Sequence, residues 1–319
     1  MKAVLINSDR SLRIGEVPEP VRGPNDVLID IRAAGVNRAD LLQREGNYPP
    51  PPGWPDWMGL EVSGVVLDAP AEGRWKVGDK VCALLGGGGY AERVVVPQDM
   101  VISIPEGLGF ADAAALPEVF ATAFLNLRYV AELKAGETLL MQAGASGLGL
   151  VVIQMAKLFG AKVMTTVGTL EKADFVRKLG ADIVINRNTD KLAVAMAKTP
   201  VNVAIDCVGG DFLGECFGLM ARGGRWVLIA TLGGTATTIP LRAVLSKGLR
   251  LIGSTLRSRT NEMKAKILSE LEKEIWPAIT EGKIHPVIHA RFPLSEAAKA
   301  QDVLYRKENI GKVILEKDF

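Results

Sequence analysis

The chain has 319 residues, of which 48% are hydrophobic and 23% charged, and 38 Lys and Arg against 36 Asp and Glu leave a formal net charge of +2. Two globular domains are expected at this length, and the scattered, balanced charges offer no electrostatic footprint for nucleic acid. The N-terminal MKAVLINSDR lacks the apolar core of a signal peptide, no uninterrupted apolar run is long enough to span a membrane, and Cys82, Cys207 and Cys216 show no paired spacing, so a cytoplasmic protein with reduced thiols is expected.

From residue 1 to 104 the chain is a series of short β-type runs, among them 2–6, 27–33, 62–67, 80–84 and 92–96, punctuated by glycine and proline. They follow one another too closely for crossover helices, which predicts a mainly antiparallel, partly open β-barrel. One helix, 38–45, interrupts it. Gly46-Asn47-Tyr48 and the prolines 49–52 then form an extended loop, and Gly86 to Gly89 form a second loop.

A helix is expected over 117–130, and from Thr138 onward strands alternate with helices, the signature of βαβ units and a parallel sheet. The strand candidates are 138–141, 162–167, 183–185, 203–207, 225–230 and 249–253. A helical segment over 261–280, which Pro277 should kink or end early, leads out of that sheet. β character returns at 286–292 and 312–315, with a helix over 295–305 between them, and completes the first domain. The domain with the parallel sheet, 119–260, is therefore inserted into a barrel domain made of 1–118 and 261–319. His285 and His289 are four residues apart, but Pro286 and the β-type neighbours argue against a helix that would present them to one metal ion.

The centre of this arrangement is GETLLMQAGASGLGLVVIQMAKLFG, residues 136–160, which reads as a buried strand, a glycine turn and a helix. The turn is Gly144-Ala145-Ser146-Gly147-Leu148-Gly149. A strand that ends at glycines and restarts as a helix aims free backbone N–H groups and the positive end of the helix dipole at one point, where a pyrophosphate is stabilised. The order is GxxGxG, so its weight comes from the strand before and the helix after. The competing reading is a tight βα turn without a ligand.

The order of parts resembles the medium-chain dehydrogenase/reductase superfamily, and within it the zinc-free quinone oxidoreductase branch. The residues that carry the resemblance are Ala34 to Asp40, Gly59-Leu60-Glu61-Val62-Ser63-Gly64, Val77-Gly78-Asp79-Lys80-Val81, Gly89-Tyr90-Ala91-Glu92, the Gly144 turn and Gly311-Lys312. Asn37 to Leu41 followed by Tyr48 and the prolines looks like the p53-inducible quinone oxidoreductase subgroup. The resemblance implies a GroES-like barrel domain plus an inserted Rossmann domain. Zinc-dependent members place a ligand cysteine where this chain has Asn37 and a ligand histidine where it has Leu60, and the four-cysteine lobe of a structural zinc has no counterpart, so no metal is expected.

An NAD enzyme usually ends its second strand with an acid that binds the adenosine ribose. Here Gly168-Thr169 stand there, with Lys172 just beyond and Arg187 after the third strand, which favours the 2′-phosphate of NADPH. Glu171 is the opposing feature, and a solvated helix face and loop is the competing reading of Lys172 and Arg187. By the family's pattern Asn37 and Thr122 lie near the nicotinamide ribose, Cys207, Val208 and Leu232 close over the dinucleotide, and Ser254, Leu256 and Asn309 flank the nicotinamide. Thr122 also reads as a helix-internal polar residue, and Cys207 as a small buried hydrophobe.

Hydride transfer is the cofactor's chemistry, and the protein must supply position, a dry pocket and a hydrogen-bond donor for the oxygen that becomes negative. No serine-nucleophile elbow or Ser-His-Asp set is present. Tyr48, with an ordinary pKa of about 10, is the candidate donor, and Asn37 a second. Trp54 and Trp57 either wall an apolar pocket or pin the proline loop. The expected activity is zinc-independent reduction of quinones by NADPH; reduction of α,β-unsaturated carbonyls is the alternative enzyme, and a crystallin-like structural or RNA-binding protein that retains NADPH the alternative class. The resemblance also implies a homodimer, or a tetramer, joined through edge strands near 225–230 and 249–255.

Overall fold

The computed structural model describes all residues, 1–319. The chain divides into two compact units, Met1–Ala121 with Arg259–Phe319, and Thr122–Ser258. In chain order the strands are β1 (Lys2–Ile6), β2 (Leu12–Glu16), β3 (Asp26–Val36), β4 (Glu61–Asp68), β5 (Lys80–Leu84), β6 (Arg93–Pro97), β7 (Val101–Ser103), β8 (Thr138–Met141), β9 (Lys162–Val167), β10 (Ile183–Asn186), β11 (Val203–Asp206), β12 (Arg225–Leu228), β13 (Arg250–Gly253), β14 (Ile288–Pro293) and β15 (Lys312–Glu316).

The first unit is built on the eleven-residue β3. Its Val27, Ile29 and Ile31 are buried while their neighbours are half-exposed, the alternation of a strand covered on one face; from Ala33 onward it is buried throughout. β3 pairs antiparallel with β4, β6 and β15, and the sheet runs β14-β15-β3-β4-β5-β7 with β6 branching from β3. Register shifts near Leu28 and Ile31 in the β3–β4 ladder mark bulges, which bend a sheet toward a barrel. The only parallel pair in this sheet, β14 with β15, is separated by a 3-10 turn at Leu294–Glu296 and the helix Ala297–Tyr305.

Two strands absent from the expected set are β2 and β7, the first carrying exposed charges and the second only three residues long. The helical segment expected over 261–280, with a kink or early end at Pro277, is two helices, Asn261–Glu274 and Trp276–Thr280. Pro277 sits in the first turn of the second, where no backbone N–H is needed, so the break falls just ahead of it. Glu272 clamps the first of these helices to β7, accepting from Ser103 N and Oγ at 2.7 Å each and from both Arg74 guanidinium nitrogens at 2.6 Å.

The second unit is a six-stranded parallel sheet in the order β10-β9-β8-β11-β12-β13. Counted along the chain this is 3-2-1-4-5-6, so the connections diverge between β8 and β11, and the crevice outside their carboxyl ends is the ligand position of such sheets. β8 and β11 are buried at every residue, as befits strands covered on both faces. Phe217 meets Trp226 edge-on at 6.1 Å in the core beneath them. β12 lies inside the sheet, between β11 and β13, which corrects the expectation that residues 225–230 form an edge; only β13 and β10 have open edges.

The helix expected over 117–130 is an α-helix, Pro117–Phe124, that continues as a π-helix over Leu125–Val130. Asn126 Nδ2 donates to the Thr122 carbonyl at 2.7 Å inside it. Past its end, the buried Arg225 guanidinium binds the carbonyls of Ala131 and Glu132 at 2.9 and 3.1 Å and forks onto both Glu137 oxygens at 2.7 Å, satisfying carbonyls that a helix end leaves open. Against the expectation from sequence, one stretch, Phe110–Val130, is long and apolar enough to cross a membrane. Of its most apolar 18-residue window 78% is buried inside the fold, and turns at 114–116 divide it, which describes a core element.

Candidate functional site

In the second unit the Gly144 turn joins β8 directly to the helix Gly147–Leu158. Ser146 is the N-cap, its hydroxyl accepting from Gly149 N at 3.0 Å. The N–H groups of Gly147 and Leu148 meet no protein acceptor, so the first turn presents two donors and the positive helix end to the crevice. The glycines have an additional, internal cause. A β-carbon on Gly144 would stand 1.9 Å from Thr165 Oγ1, and one on Gly149 would stand 2.5 Å and 2.6 Å from the carbonyl oxygens of Ala143 and Gly144. Ala143 itself is left-handed, φ +56°, and is held there by its N–H to Thr166 Oγ1 at 3.1 Å.

At the ends of β9 and β10 the structure brings four expected residues together in two pairs. Thr169 caps the helix Leu170–Lys178 by accepting from Lys172 N at 3.2 Å. The exposed Arg187 guanidinium lies over Gly168, close enough that a β-carbon there would come within 2.6 Å of Nη2, and it pairs with no carboxylate. Asn188, not among the expected residues, fixes this corner by donating to the Gly168 carbonyl at 2.7 Å.

The loops after β11 and β12 are tied to each other. Leu232 N donates to Cys207 O at 3.2 Å and Gly233 N to Val208 O at 2.7 Å, so Cys207, Val208 and Leu232 share one short ladder. Burial pushes the Cys207 thiol up to about 12, with Asp206 adding to it, so this sulfur is a packed neutral group rather than a nucleophile. Ser254 donates its N–H to Leu228 O at 3.0 Å, and Ser254 and Leu256 are both buried. Thr122 stands on the helix Pro117–Phe124, where its carbonyl receives Asn126.

In the first unit Tyr48 is half-buried on the loop after the helix Arg38–Arg44. Trp54 lies on Gly86, whose β-carbon would be 2.7 Å from the indole, and Trp57 Nε1 donates to Gly88 O at 3.1 Å. The tryptophans thus pin the proline loop to the glycine loop. Asn37 is held at both ends of its amide: Nδ2 donates to Glu61 Oε1 at 2.8 Å, and Oδ1 accepts from Lys312 Nζ at 2.8 Å. That leaves it a framework residue rather than an open donor. Lys312 spends its three protons on Asn37, Val36 O (2.9 Å) and Glu61 Oε1 (2.5 Å), while Glu61 Oε2 accepts from Glu118 N at 2.9 Å. Asn309 supports the same feature from behind, its Nδ2 donating to the carbonyl of Gly311, next to Lys312, at 2.7 Å. His285 and His289 are exposed, and His289 lies on β14.

Glu61, Lys312, Asp40 and Tyr90 stood in the quoted motifs without a role. Asp40, wholly buried, accepts from Asn37 N at 2.7 Å, Tyr90 Oη at 3.0 Å and Gly59 N at 3.2 Å. The available signal was charge placed inside apolar strands, Glu61 ahead of Val62 and Lys312 ahead of Val313-Ile314-Leu315.

Residues 23–106 match the alcohol dehydrogenase GroES-like domain, and residues 147–273 match the family described as zinc-binding dehydrogenase. A rat (Rattus norvegicus) protein named quinone oxidoreductase-like protein 2 is 33% identical over 320 residues, covering 98% of this chain and 91% of its own. The chain belongs to the quinone oxidoreductase branch of the medium-chain dehydrogenase/reductase superfamily. A solved quinone oxidoreductase of Pseudomonas syringae pv. Tomato DC3000 superposes with TM-score 0.87 at 28% identity, covering 99% of both chains. A mycobacterial structure complexed with NADPH does so with TM-score 0.86, also at 28% identity and 99% of both chains. As a member of this branch the protein is a dinucleotide-dependent oxidoreductase acting on a small molecule. No group of three or more His, Cys, Asp or Glu side chains is placed to hold a metal ion.

Burial raises the Asp40 carboxyl to about 6, against the hydrogen bonds that favour its anion. Because the folded state holds this proton more tightly than the unfolded chain, its contribution to stability falls as pH rises from about 4 to about 6, by about 3 kcal/mol. Asp40→Asn removes that dependence. The stability of the variant relative to wild type, from denaturant titrations at pH 4, 5, 6 and 7, is expected to rise across this window; a constant difference would place the proton elsewhere.

Proposed function

We propose that this protein is a zinc-independent reductase that takes hydride from NADPH and delivers it to quinones. The observation that carries the cofactor preference is the corner at Gly168. No carboxylate closes the end of β9, and an exposed, unpaired guanidinium lies over that glycine. A 2′-phosphate matches this donor set: Arg187 for a bidentate contact, and the head of the helix that Thr169 caps. The N–H groups of Gly147 and Leu148 suit the pyrophosphate. NADPH, when bound, supplies the hydride.

The protein's own part is to orient and to stabilise developing negative charge. Tyr48 is the proposed donor to the substrate oxygen, a role that keeps its proton at neutral pH. Lys312 holds the Val36 carbonyl, and Glu61 and Lys312 together hold the Asn37 side chain, at the entrance to the helix that leads to the Tyr48 loop. Quinones are favoured as substrates by the relatives named for them, at about a third identity over nearly their whole lengths. The proposed assembly is a homodimer through the open edge of β13; the helix that precedes this strand, Leu241–Lys247, leaves Leu241 and Leu245 74% and 87% exposed.

Steady-state oxidation of NADPH against one ortho-quinone, one para-quinone and one α,β-unsaturated ketone, with and without a chelator, tests this reading. Quinone turnover at least tenfold above enone turnover, and unchanged by chelator, is expected. Consumption of the enone alone moves the substrate to conjugated carbonyls, and a loss of turnover with chelator removes the zinc-independent assignment.

A further inference from the structure

Asp206 ends β11 and is fully buried, yet no cationic side chain touches it. Its carboxylate is surrounded by four neutral donors. Oδ1 accepts from Val208 N at 2.7 Å, Gly209 N at 3.1 Å and Gln142 Nε2 at 3.2 Å; Oδ2 accepts from Trp226 Nε1 at 2.9 Å and Gly209 N at 3.2 Å. A charge buried without a counter-ion is costly, and here it is held solely by hydrogen bonds, two of the donors being backbone groups of the turn that follows. That turn has two successive left-handed residues, Gly209 at φ +65° and Gly210 at φ +56°. The turn in turn templates the loop after β12, through Leu232 N to Cys207 O, Gly233 N to Val208 O and the Gly209–Gly234 bridge. Leu232 is half exposed, so this ladder is what fixes the loop's position.

We infer that Asp206 is a positioning residue whose carboxylate sets the shape of both loops, after β11 and after β12, and through them the affinity for the dinucleotide. This rests on the proposed cofactor reading only for its last step. Every donor around Asp206 is an N–H, so an amide at this position must turn its own NH2 against one of them, and a neutral isostere is not an equivalent replacement.

The test is Asp206→Asn, examined by amide hydrogen exchange and by NADPH titration. Exchange of the Leu232 and Gly233 amides is expected to accelerate at least about tenfold, although neither touches residue 206. The NADPH Kd is expected to rise about tenfold, with KM for NADPH rising at least fivefold more than kcat falls. Gln142→Met removes a donor but leaves the backbone bonds, and should leave both amides protected. If Asp206→Asn does not fold, Gly209→Ala loosens the same turn and carries the same expectation. Unchanged exchange at Leu232 and Gly233 in a folded variant would overturn the inference. Wild-type protein that binds no NADPH would sink the cofactor reading, while the exchange result still decides the role of Asp206.

Discussion

Lys312→Met is expected to lower the stability of the protein by about 3–5 kcal/mol, measured by denaturant titration with tryptophan fluorescence. The reason is what remains behind. Lys312 Nζ has three acceptors, the residue is 4% exposed, and Glu61 is completely buried. Removing the ammonium leaves an uncompensated carboxylate, an open carbonyl at Val36 and an Asn37 Oδ1 without its donor. The loss is therefore mostly that of stranded groups, and neutralising the partner should recover part of it. Lys312→Met with Glu61→Gln is expected to regain at least about half of the single variant's deficit, since Gln keeps an acceptor for Glu118 N. A single variant within 1 kcal/mol of wild type would mean that water reaches these groups.

Arg187→Glu should reverse the cofactor preference. The wild-type corner offers a guanidinium over Gly168 that pairs with no carboxylate, whereas the variant brings a carboxylate to the end of β9, the strand end that carries the ribose-binding acid in NAD enzymes. Losing a charge-assisted contact and adding repulsion against a 2′-phosphate is worth about 4 kcal/mol in the ratio of kcat/KM for NADPH and NADH, roughly a thousandfold. Most of the change should fall on KM for NADPH, with NADH turnover kept or improved. Equal losses with both cofactors would show that Arg187 acts on the fold of the corner and not on the phosphate.

The parallel sheet was legible because buried parallel strands read as unbroken apolar runs; the expected ends at 138–141 and 162–167 coincide with β8 and β9. β7 was not, since three residues carry no period. The break in the helical segment over 261–280 was legible from Pro277, and only the side on which it falls was open. At the site, spacing found the glycine turn but not why it is bare. Thr165, which forbids a side chain on Gly144, lies 21 residues on and one strand away. Asn37 was visible as a polar residue in a motif, yet its partners lie 24 and 275 residues distant, and that separation hides the buried pair that takes its amide. The donors around Asp206, at 142, 208, 209 and 226, are scattered in the same way.

The most direct test of the central claim is the oxidation of NADPH and NADH in parallel by the wild-type protein, with a quinone as acceptor and product formation followed alongside. Stoichiometric consumption of quinone is expected, with kcat/KM for NADPH at least about tenfold above that for NADH. NADPH that binds but is not oxidised by any quinone, or equal use of the two cofactors, would contradict it.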